Sequence, residues 1–164
     1  MNCGCYSVNA SDLATAIIAL DGTIATTKKR ISAADFFTTK LKAYDMLDTD
    51  ELVTAVEVPA QEDYQTGYIK DRLRAAIDFA LLSLAYSVKM KGDVIEDIRL
   101  VFGGVAPVPV RLYAVEEYLR GKKVSAEAAK EAAELSVANA VAMELNNYKI
   151  VDAKVMMERL IANL

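Results

Sequence analysis

The chain contains no histidine and no tryptophan, and only two cysteines and three prolines among its 164 residues. Without histidine, Ser-His-Asp catalysis, Cys-His catalysis and the histidine-containing zinc sites are all excluded. Cys3 and Cys5 stand near the beginning of the chain, and two thiolates alone do not complete a metal or cluster site. The glycine-rich phosphate-binding patterns GxxxxGK[ST] and GxGxxG are also missing. If this chain takes part in catalysis, a cofactor therefore supplies the chemistry.

Long apolar runs and blocks of charge are missing as well. No stretch approaches about 20 consecutive apolar residues, and the start, MNCGCYSVNASD, lacks the basic and apolar segments of a signal peptide. We therefore expect a cytoplasmic chain that does not enter a membrane. The chain has 19 lysine and arginine residues and 23 aspartate and glutamate residues, so its net charge is −4. It also has no basic stripe, and both features argue against nucleic-acid binding. Apolar residues make up 54%, enough for the core of one domain or two small ones.

The first 60 residues read as a short α/β piece. Ser11 or Asn9 precedes DLATAIIAL, whose apolar residues recur at helical spacing, so we expect a capped helix there. The β-branched segment TIATT predicts a strand. The polar residues KKR that follow predict a turn, after which a short segment runs back. Ser32 and Asp35 have the spacing of a capping box, which predicts a helical turn. A second β-rich segment, LVTAVEV, ends at Pro59, which cannot donate to a sheet ladder.

A polar connector, EDYQTG, follows Pro59, and we place a subdomain boundary at this point. Beyond it, residues 94–102 alternate between apolar and polar side chains, which predicts a strand with one buried face. Residues 75–90 fit either a helix or a long buried strand, and their periodicity does not decide between the two.

Three helices are predicted in the last third of the chain. The first runs from near Arg111 to Gly121, a suitable helix stop. The second begins at Ser125 and has a charged face with alanines behind it. The third is expected to be capped by Asp152. Its apolar stripe consists of Ala153, Met156, Met157, Leu160 and Leu164.

Several segments, in their order and spacing, resemble a known family. SDLATAIIALDGTIA, ISAADFF and DELVTAVEVP resemble the second half of the FAD-binding domain of molybdenum hydroxylase flavin subunits. YIKDRLRAAIDFALLSLAY and IRLVFGGVAPVPVRLYAVEEYLRGK are similar to the C-terminal domain of the same subunits. The resemblance covers nearly the whole chain and is greatest to the flavin subunits of bacterial xanthine dehydrogenases.

The resemblance implies an α+β fold in two parts. Residues 1–60 would be the C-terminal part of the FAD-binding domain, a partial second subdomain. Residues 61–164 would be the flavoprotein C-terminal domain, a three-stranded antiparallel sheet with a helical bundle. Residues 75–90 then become a strand in which Ile77, Phe79 and Leu81 alternate in burial with Ala80 and Leu82.

The resemblance also implies a function in electron transfer. In such enzymes a molybdopterin subunit oxidises the substrate, and electrons pass through a [2Fe-2S] subunit to FAD and then to NAD or another acceptor. The partners expected for this chain are therefore the [2Fe-2S] and molybdopterin subunits. A non-catalytic assembly module that docks those two subunits and binds no cofactor remains the alternative.

Four residues match positions at the family's flavin site. These are Asp12 in SDL, the apolar pair Leu52 and Val53 in DELV, and Lys70 in YIK. Each also has an ordinary structural explanation: Asp12 complements a helix macrodipole, Leu52 and Val53 are strand core, and Lys70 is a solvated surface charge. The resemblance favours cofactor binding for all four, and it identifies no catalytic residue and no metal ligand.

Other features separate this chain from a complete flavin subunit. MNCGCYSVNA stands where the family has Gly-Gly-Asn, and the family's glycine-rich pyrophosphate loops are missing. We therefore expect a piece of the subunit that is inactive by itself, does not retain FAD and self-associates through the strand edges of residues 1–59. Arg74 and Asp78 fit the family's spacing too, and a structural ion pair explains them as well as a ligand role does.

Overall fold

The structure, a computed structural model, describes residues 7–38 and 47–164. Its first element is helix α1, Asp12–Ala19, which begins where the sequence predicts. The Ser11 Oγ accepts a hydrogen bond from the backbone N–H of Ala14 at 3.1 Å, which satisfies one of the free donors at the helix start. Cys3 and Cys5 lie outside the described residues.

A small antiparallel sheet follows α1. Its strands are β1, Thr23–Thr26, β2, Arg30–Ser32, and β3, Val53–Glu57, in the order β2-β1-β3. The short helix α2, Ala33–Phe36, is capped by Ser32 as predicted. Among the described residues β3 pairs with β1 alone, so β3 is an edge strand.

A larger antiparallel sheet forms the second part of the chain. Its strands are β4, Tyr64–Asp71, β5, Leu82–Lys91, β6, Val94–Gly103, and β7, Val110–Arg111, in the order β4-β5-β6-β7. The three long strands are those implied by the resemblance, and the two-residue β7 adds a short fourth. The α+β fold class is confirmed. The connector EDYQTG is shorter than predicted, because β4 already begins at Tyr64.

The prediction of a strand over residues 75–90 is correct only from Leu82 onward. Residues 72–81 form a loop in which Ile77 is 93% exposed and Phe79 is 74% exposed, so the expected alternation in burial is wrong. The Arg74 N–H donates to Asp78 Oδ2 at 2.8 Å, and Ile77 has a φ of 52°, which takes the chain out of the extended conformation.

The helices are α3, Tyr113–Leu119, α4, Ala126–Ser136, and α5, Tyr148–Ala162. Ser125 caps α4, as the sequence predicts. The predicted Asp152 cap is wrong, because α5 begins one turn earlier and Asp152 lies inside it. The predicted stripe of α5 does face the core, with Ala153, Met157 and Leu160 buried.

Two apolar clusters hold these elements together. The larger one lies between one face of the β4–β6 sheet and helices α3–α5, with Leu84, Ile98 and Leu100 of the sheet fully buried. The smaller one joins α1 to both sheets, since Ile17 packs in one cluster with Ile24 of β1 and with residues of β5 and β6. Helix α1 therefore lies on the second face of the large sheet. None of the helices within residues 7–38 and 47–164 is long and apolar enough to cross a membrane.

Candidate functional site

The candidate site lies where the first turn of α1 meets β4. Side chains two residues apart on a strand point to the same face, so Tyr68 and Lys70 share one face of β4. Tyr68 is opposite Ala85 of β5, and Lys70 is opposite Ser83. Ala85 packs in the cluster that contains α1, which identifies this face as the one that α1 covers. The Y-x-K spacing therefore directs both polar side chains toward α1.

Both side chains donate to the carboxylate of Asp12, the first residue of α1. The Tyr68 hydroxyl donates to Asp12 Oδ1 at 2.7 Å, and the Lys70 ammonium donates to Oδ2 at 2.6 Å. We call these three residues the Asp12 cluster. The predicted site residues Asp12 and Lys70 are thus in direct contact, although 58 positions separate them in the sequence.

The electrostatics of the cluster fix the protonation states of two of its members. Burial alone would raise the pKa of Asp12, but the hydrogen bonds from Lys70 and Tyr68, with the nearby positive charge of Arg72, outweigh burial and lower it. Burial and the hydrogen bond to the Asp12 carboxylate raise the pKa of Tyr68 to about 12. At neutral pH the carboxylate is therefore ionised and the phenol is a hydrogen-bond donor.

The cluster is partly open to solvent. The Asp12 side chain is 46% exposed and that of Lys70 is 19% exposed. A carboxylate has about four lone-pair positions and an ammonium group three N–H donors, so the contacts described leave acceptor capacity on Asp12 and donor capacity on Lys70. The arrangement can therefore bind a molecule that offers a donor beside an acceptor.

A layer of small polar groups lies beneath Tyr68. The hydroxyls of Ser83 and Thr15 are within hydrogen-bonding reach of the phenol oxygen, and both residues are buried. Gly103 is opposite Ser83, and a β-carbon at position 103 would come within 2.5 Å of both hydroxyl oxygens. A side chain larger than that of glycine at position 103 would therefore force these hydroxyls to shift.

The predicted apolar pair lies on the small sheet. Leu52 is 69% exposed and Val53 is about half exposed, so the ordinary strand-core explanation does not hold for them. Their backbone contacts are with β1 and the turn after it: Leu52 exchanges hydrogen bonds with Thr27, and Val53 is opposite Thr26. Contact of this pair with a cofactor stays a prediction.

Arg74 and Asp78 pair with each other in the loop after β4. An Arg74 guanidinium nitrogen lies 3.3 Å from Asp78 Oδ1, which is the structural ion pair that the spacing allows.

Sequence reasoning missed Tyr68. The signal that could have found it is its place two residues before Lys70 in a strand, on the same face.

A second polar network, centred on Arg111, lies at the other end of α1. Arg111 donates to the buried carboxylate of Glu116 at 3.0 Å and to Asp21, just after α1, at 2.5 Å. A cavity of about 220 Å³ beside it is lined in part by Asp21 and Arg111. This cavity lies away from the Asp12 cluster, and its arginine is engaged by two carboxylates, so we assign it a structural role.

Comparison with known proteins supports the resemblance seen in the sequence. Residues 68–148 match the family model for the CO dehydrogenase flavoprotein C-terminal domain. The chain is similar to the glyceraldehyde dehydrogenase medium chain of Sulfolobus acidocaldarius, with 38% identity over 143 residues, 84% of this chain and 47% of the relative. It thus spans about half the length of the curated relative it matches.

Solved structures share the fold. Carbon monoxide dehydrogenase from Hydrogenophaga pseudoflava superposes with a TM-score of 0.78 at 25% identity, covering 92% of this chain and 54% of that one. Quinoline 2-oxidoreductase from Pseudomonas putida 86 superposes with a TM-score of 0.78 at 20% identity, covering 94% and 55%, and shows the fold alone. The chain belongs to the flavoprotein-chain family of the molybdenum hydroxylases, and its residues 68–148 match the C-terminal domain of that family.

Proposed function

We propose that this chain forms part of an FAD site in a molybdenum hydroxylase and contacts the ring end of the cofactor. FAD, when bound, supplies the redox chemistry that carries electrons from iron–sulfur clusters to an acceptor. The observation that carries the proposal is the Asp12 cluster, in which a carboxylate acceptor and an ammonium donor are in contact at 2.6 Å at a partly open surface.

The donor set fits the chemistry of a flavin ring. The pyrimidine edge of an isoalloxazine carries an N–H flanked by carbonyl groups. This pattern is complementary to a carboxylate acceptor, Asp12, that lies beside an ammonium donor, Lys70. In this proposal Asp12 accepts from the ring N–H, and Lys70 donates to an adjacent carbonyl oxygen. The exposed side chains of Leu52 and Val53 supply apolar surface for the ring.

Lys70 also has an electrostatic role in the proposal. A positive charge beside the ring stabilises negative charge that the ring gains on reduction, by the same physics that shifts a pKa. Lys70 therefore raises the reduction potential of bound FAD. Asp12 opposes this effect, and its pairing with Lys70 limits how far the potential rises.

The test is the reduction potential of FAD in the assembled enzyme. Lys70→Met is expected to lower the potential by tens of millivolts, on the order expected for removing one charge a few ångströms from the ring in a partly screened site. Lys123→Met is the matched control, because Lys123 pairs with Asp93 at 2.9 Å on an exposed surface of the same domain. Equal potentials and equal FAD contents in the two variants would contradict the proposal.

The wider assignment follows the family. We propose that the chain works with a [2Fe-2S] subunit and a molybdopterin subunit in an enzyme of the xanthine dehydrogenase type, in which FAD passes electrons to NAD or another acceptor. The named relatives act on CO, glyceraldehyde and quinoline instead. Turnover of the assembled enzyme with xanthine and NAD, compared with glyceraldehyde and an artificial acceptor, decides between these substrates and acceptors.

An assembly module remains the second candidate, because the loop after β4 exposes large apolar side chains. Leu73 is 83% exposed, and Ile77 and Phe79 are similarly open, as expected of a surface that another subunit covers. In this case Ile77→Ser and Phe79→Ser would reduce co-purification of the partner subunits, while Lys70→Met would leave both assembly and flavin properties unchanged.

A further inference from the structure

We propose that Tyr68 is a positioning residue that fixes the orientation of the Asp12 carboxylate beside Lys70. The inference deepens the proposed function and rests on it, since the fixed carboxylate is the one offered to the flavin ring. Neither the sequence pattern nor the family resemblance assigned Tyr68 a role. Its contact with Asp12 joins β4 to the first residue of α1 across 56 positions of sequence.

The geometry shows why two donors are needed. An aspartate in the first turn of a helix is free to rotate toward solvent or toward the helix N–H groups. A single donor leaves rotation about the carboxylate bond available. Here Tyr68 donates to Oδ1 at 2.7 Å and Lys70 to Oδ2 at 2.6 Å, from neighbouring positions on one strand face. Each oxygen is therefore held, and the carboxylate plane is determined.

Tyr68 is itself held in place. Its hydroxyl lies near the buried hydroxyls of Ser83 and Thr15, and the Thr15 hydroxyl donates to the Ser11 carbonyl at 3.0 Å. Because Gly103 has no β-carbon, these two hydroxyls fit beneath the phenol. Tyr68 is 36% exposed, so these neighbours and the hydrogen bond to Asp12, rather than full burial, hold its hydroxyl oxygen near α1.

The protonation states agree with this geometry. The pKa of Tyr68 is raised to about 12, so the phenol remains a donor at physiological pH. The pKa of Asp12 is lowered because Lys70 and Tyr68 donate to it, against the effect of burial, and Arg72 adds positive charge. Among the described residues, Lys70, Tyr68 and Arg72 are titratable groups whose hydrogen bonds or positive charge lower the pKa of Asp12.

The first experiment measures the pKa of the Asp12 carboxyl by carbon-detected NMR in the full chain. Tyr68→Phe removes only the hydroxyl and is expected to shift the pKa of Asp12 upward. The matched control is Tyr64→Phe, because the Tyr64 hydroxyl donates to Asp97 Oδ2 at 2.9 Å from the same strand. The control should raise the pKa of Asp97 and leave that of Asp12 unchanged. An unchanged pKa of Asp12 in Tyr68→Phe would overturn the inference.

The second experiment measures FAD affinity in the assembled enzyme. Tyr68→Phe is expected to weaken FAD binding about tenfold, as the loss of one hydrogen bond to a charged group would. If Lys70→Met alters the FAD potential and Tyr68→Phe leaves affinity unchanged, the positioning role is wrong and the proposed function stands. If neither variant alters any flavin property, the proposed function fails, and this inference fails with it.

Discussion

Removing the Glu116 carboxylate should destabilise the fold strongly, because a buried backbone N–H and a half-buried guanidinium both depend on it. Glu116 is buried, accepts from the backbone N–H of Leu100 at 2.9 Å and pairs with Arg111 at 3.0 Å. Glu116→Ala leaves the Leu100 N–H unsatisfied, which costs about 1–3 kcal/mol. It also leaves a half-buried guanidinium with Asp21 as its remaining partner. Loss of one member of a buried pair costs about 3–5 kcal/mol when nothing compensates.

Because Asp21 compensates in part, we expect a total loss of about 3 kcal/mol, near the lower end of the range for a broken buried pair. At about 2–4 °C per kcal/mol for a chain of this size, the melting temperature should fall by about 6–12 °C. Glu116→Gln keeps an oxygen for the Leu100 N–H, so it should cost clearly less than Glu116→Ala. Comparing these two variants separates the charge from the hydrogen-bond acceptor.

The assay is urea unfolding followed by circular dichroism, with thermal melts as a second measure. Glu117→Ala is the control, because Glu117 is the exposed neighbour on the same helix and changes the net charge equally. Arg111→Met should cost less in the Glu116→Ala background than in the original chain, since the pair is already broken. Surface substitutions usually change the free energy of unfolding by no more than about 0.5 kcal/mol. The reasoning would be refuted if the free energies of unfolding of Glu116→Ala and Glu117→Ala differed by no more than this.

Four further predictions follow from the same structure. Because folding raises the pKa of Tyr68 from 10 to about 12, its stabilising contribution is complete below pH 10 and is lost as pH rises toward 12. Tyr68→Phe should flatten this part of an alkaline unfolding titration. Gly103→Ala should destabilise the fold and raise the pKa of Asp12 in NMR titrations, because the new methyl displaces the hydroxyls beneath Tyr68. Sedimentation of the chain should show self-association that Val56→Lys on the exposed edge strand β3 reduces, whereas a monomer at all concentrations would contradict it. The chain alone should lose FAD on gel filtration, because the loss of even three hydrogen bonds to the diphosphate, at about 1.5–3 kcal/mol each, would weaken binding by thousands-fold or more.

Local features of the fold could be predicted because they depend on local chemistry. Ser11, Ser32 and Ser125 each cap the helix that follows, as their spacing indicates. The β-branched segments became strands for the same reason. The loop at residues 72–81 could not be predicted this way. Its apolar side chains suggest a buried strand. The positive φ of Ile77 and the hydrogen bond from the Arg74 N–H to Asp78, which form the loop instead, are seen only in the folded chain.

The site was predictable only in part. Composition and periodicity gave no reason to join Asp12 to Lys70, and only the family resemblance suggested that both lie near one cofactor. Their contact depends on the packing of α1 against the large sheet, a long-range feature. Tyr68 was within reach of sequence reasoning, since strand alternation places it on the face of Lys70. Ser83 and Thr15 were not, because their role depends on the absence of a β-carbon at position 103.

The turn at Gly104 also contributes to the site, through the segment that leads into α1. Gly104 has a φ of 75°, which favours glycine, and its N–H donates to the Asn9 carbonyl at 3.2 Å. Asn9 in turn donates its N–H to the Ala106 carbonyl at 2.8 Å, and Lys149 of α5 donates to the Gly104 carbonyl at 2.8 Å. The start of α1 is therefore attached to the end of β6 as well as to β4. Because Asp12 follows Asn9 by three residues, the glycine turn after β6 helps to determine where the carboxylate lies.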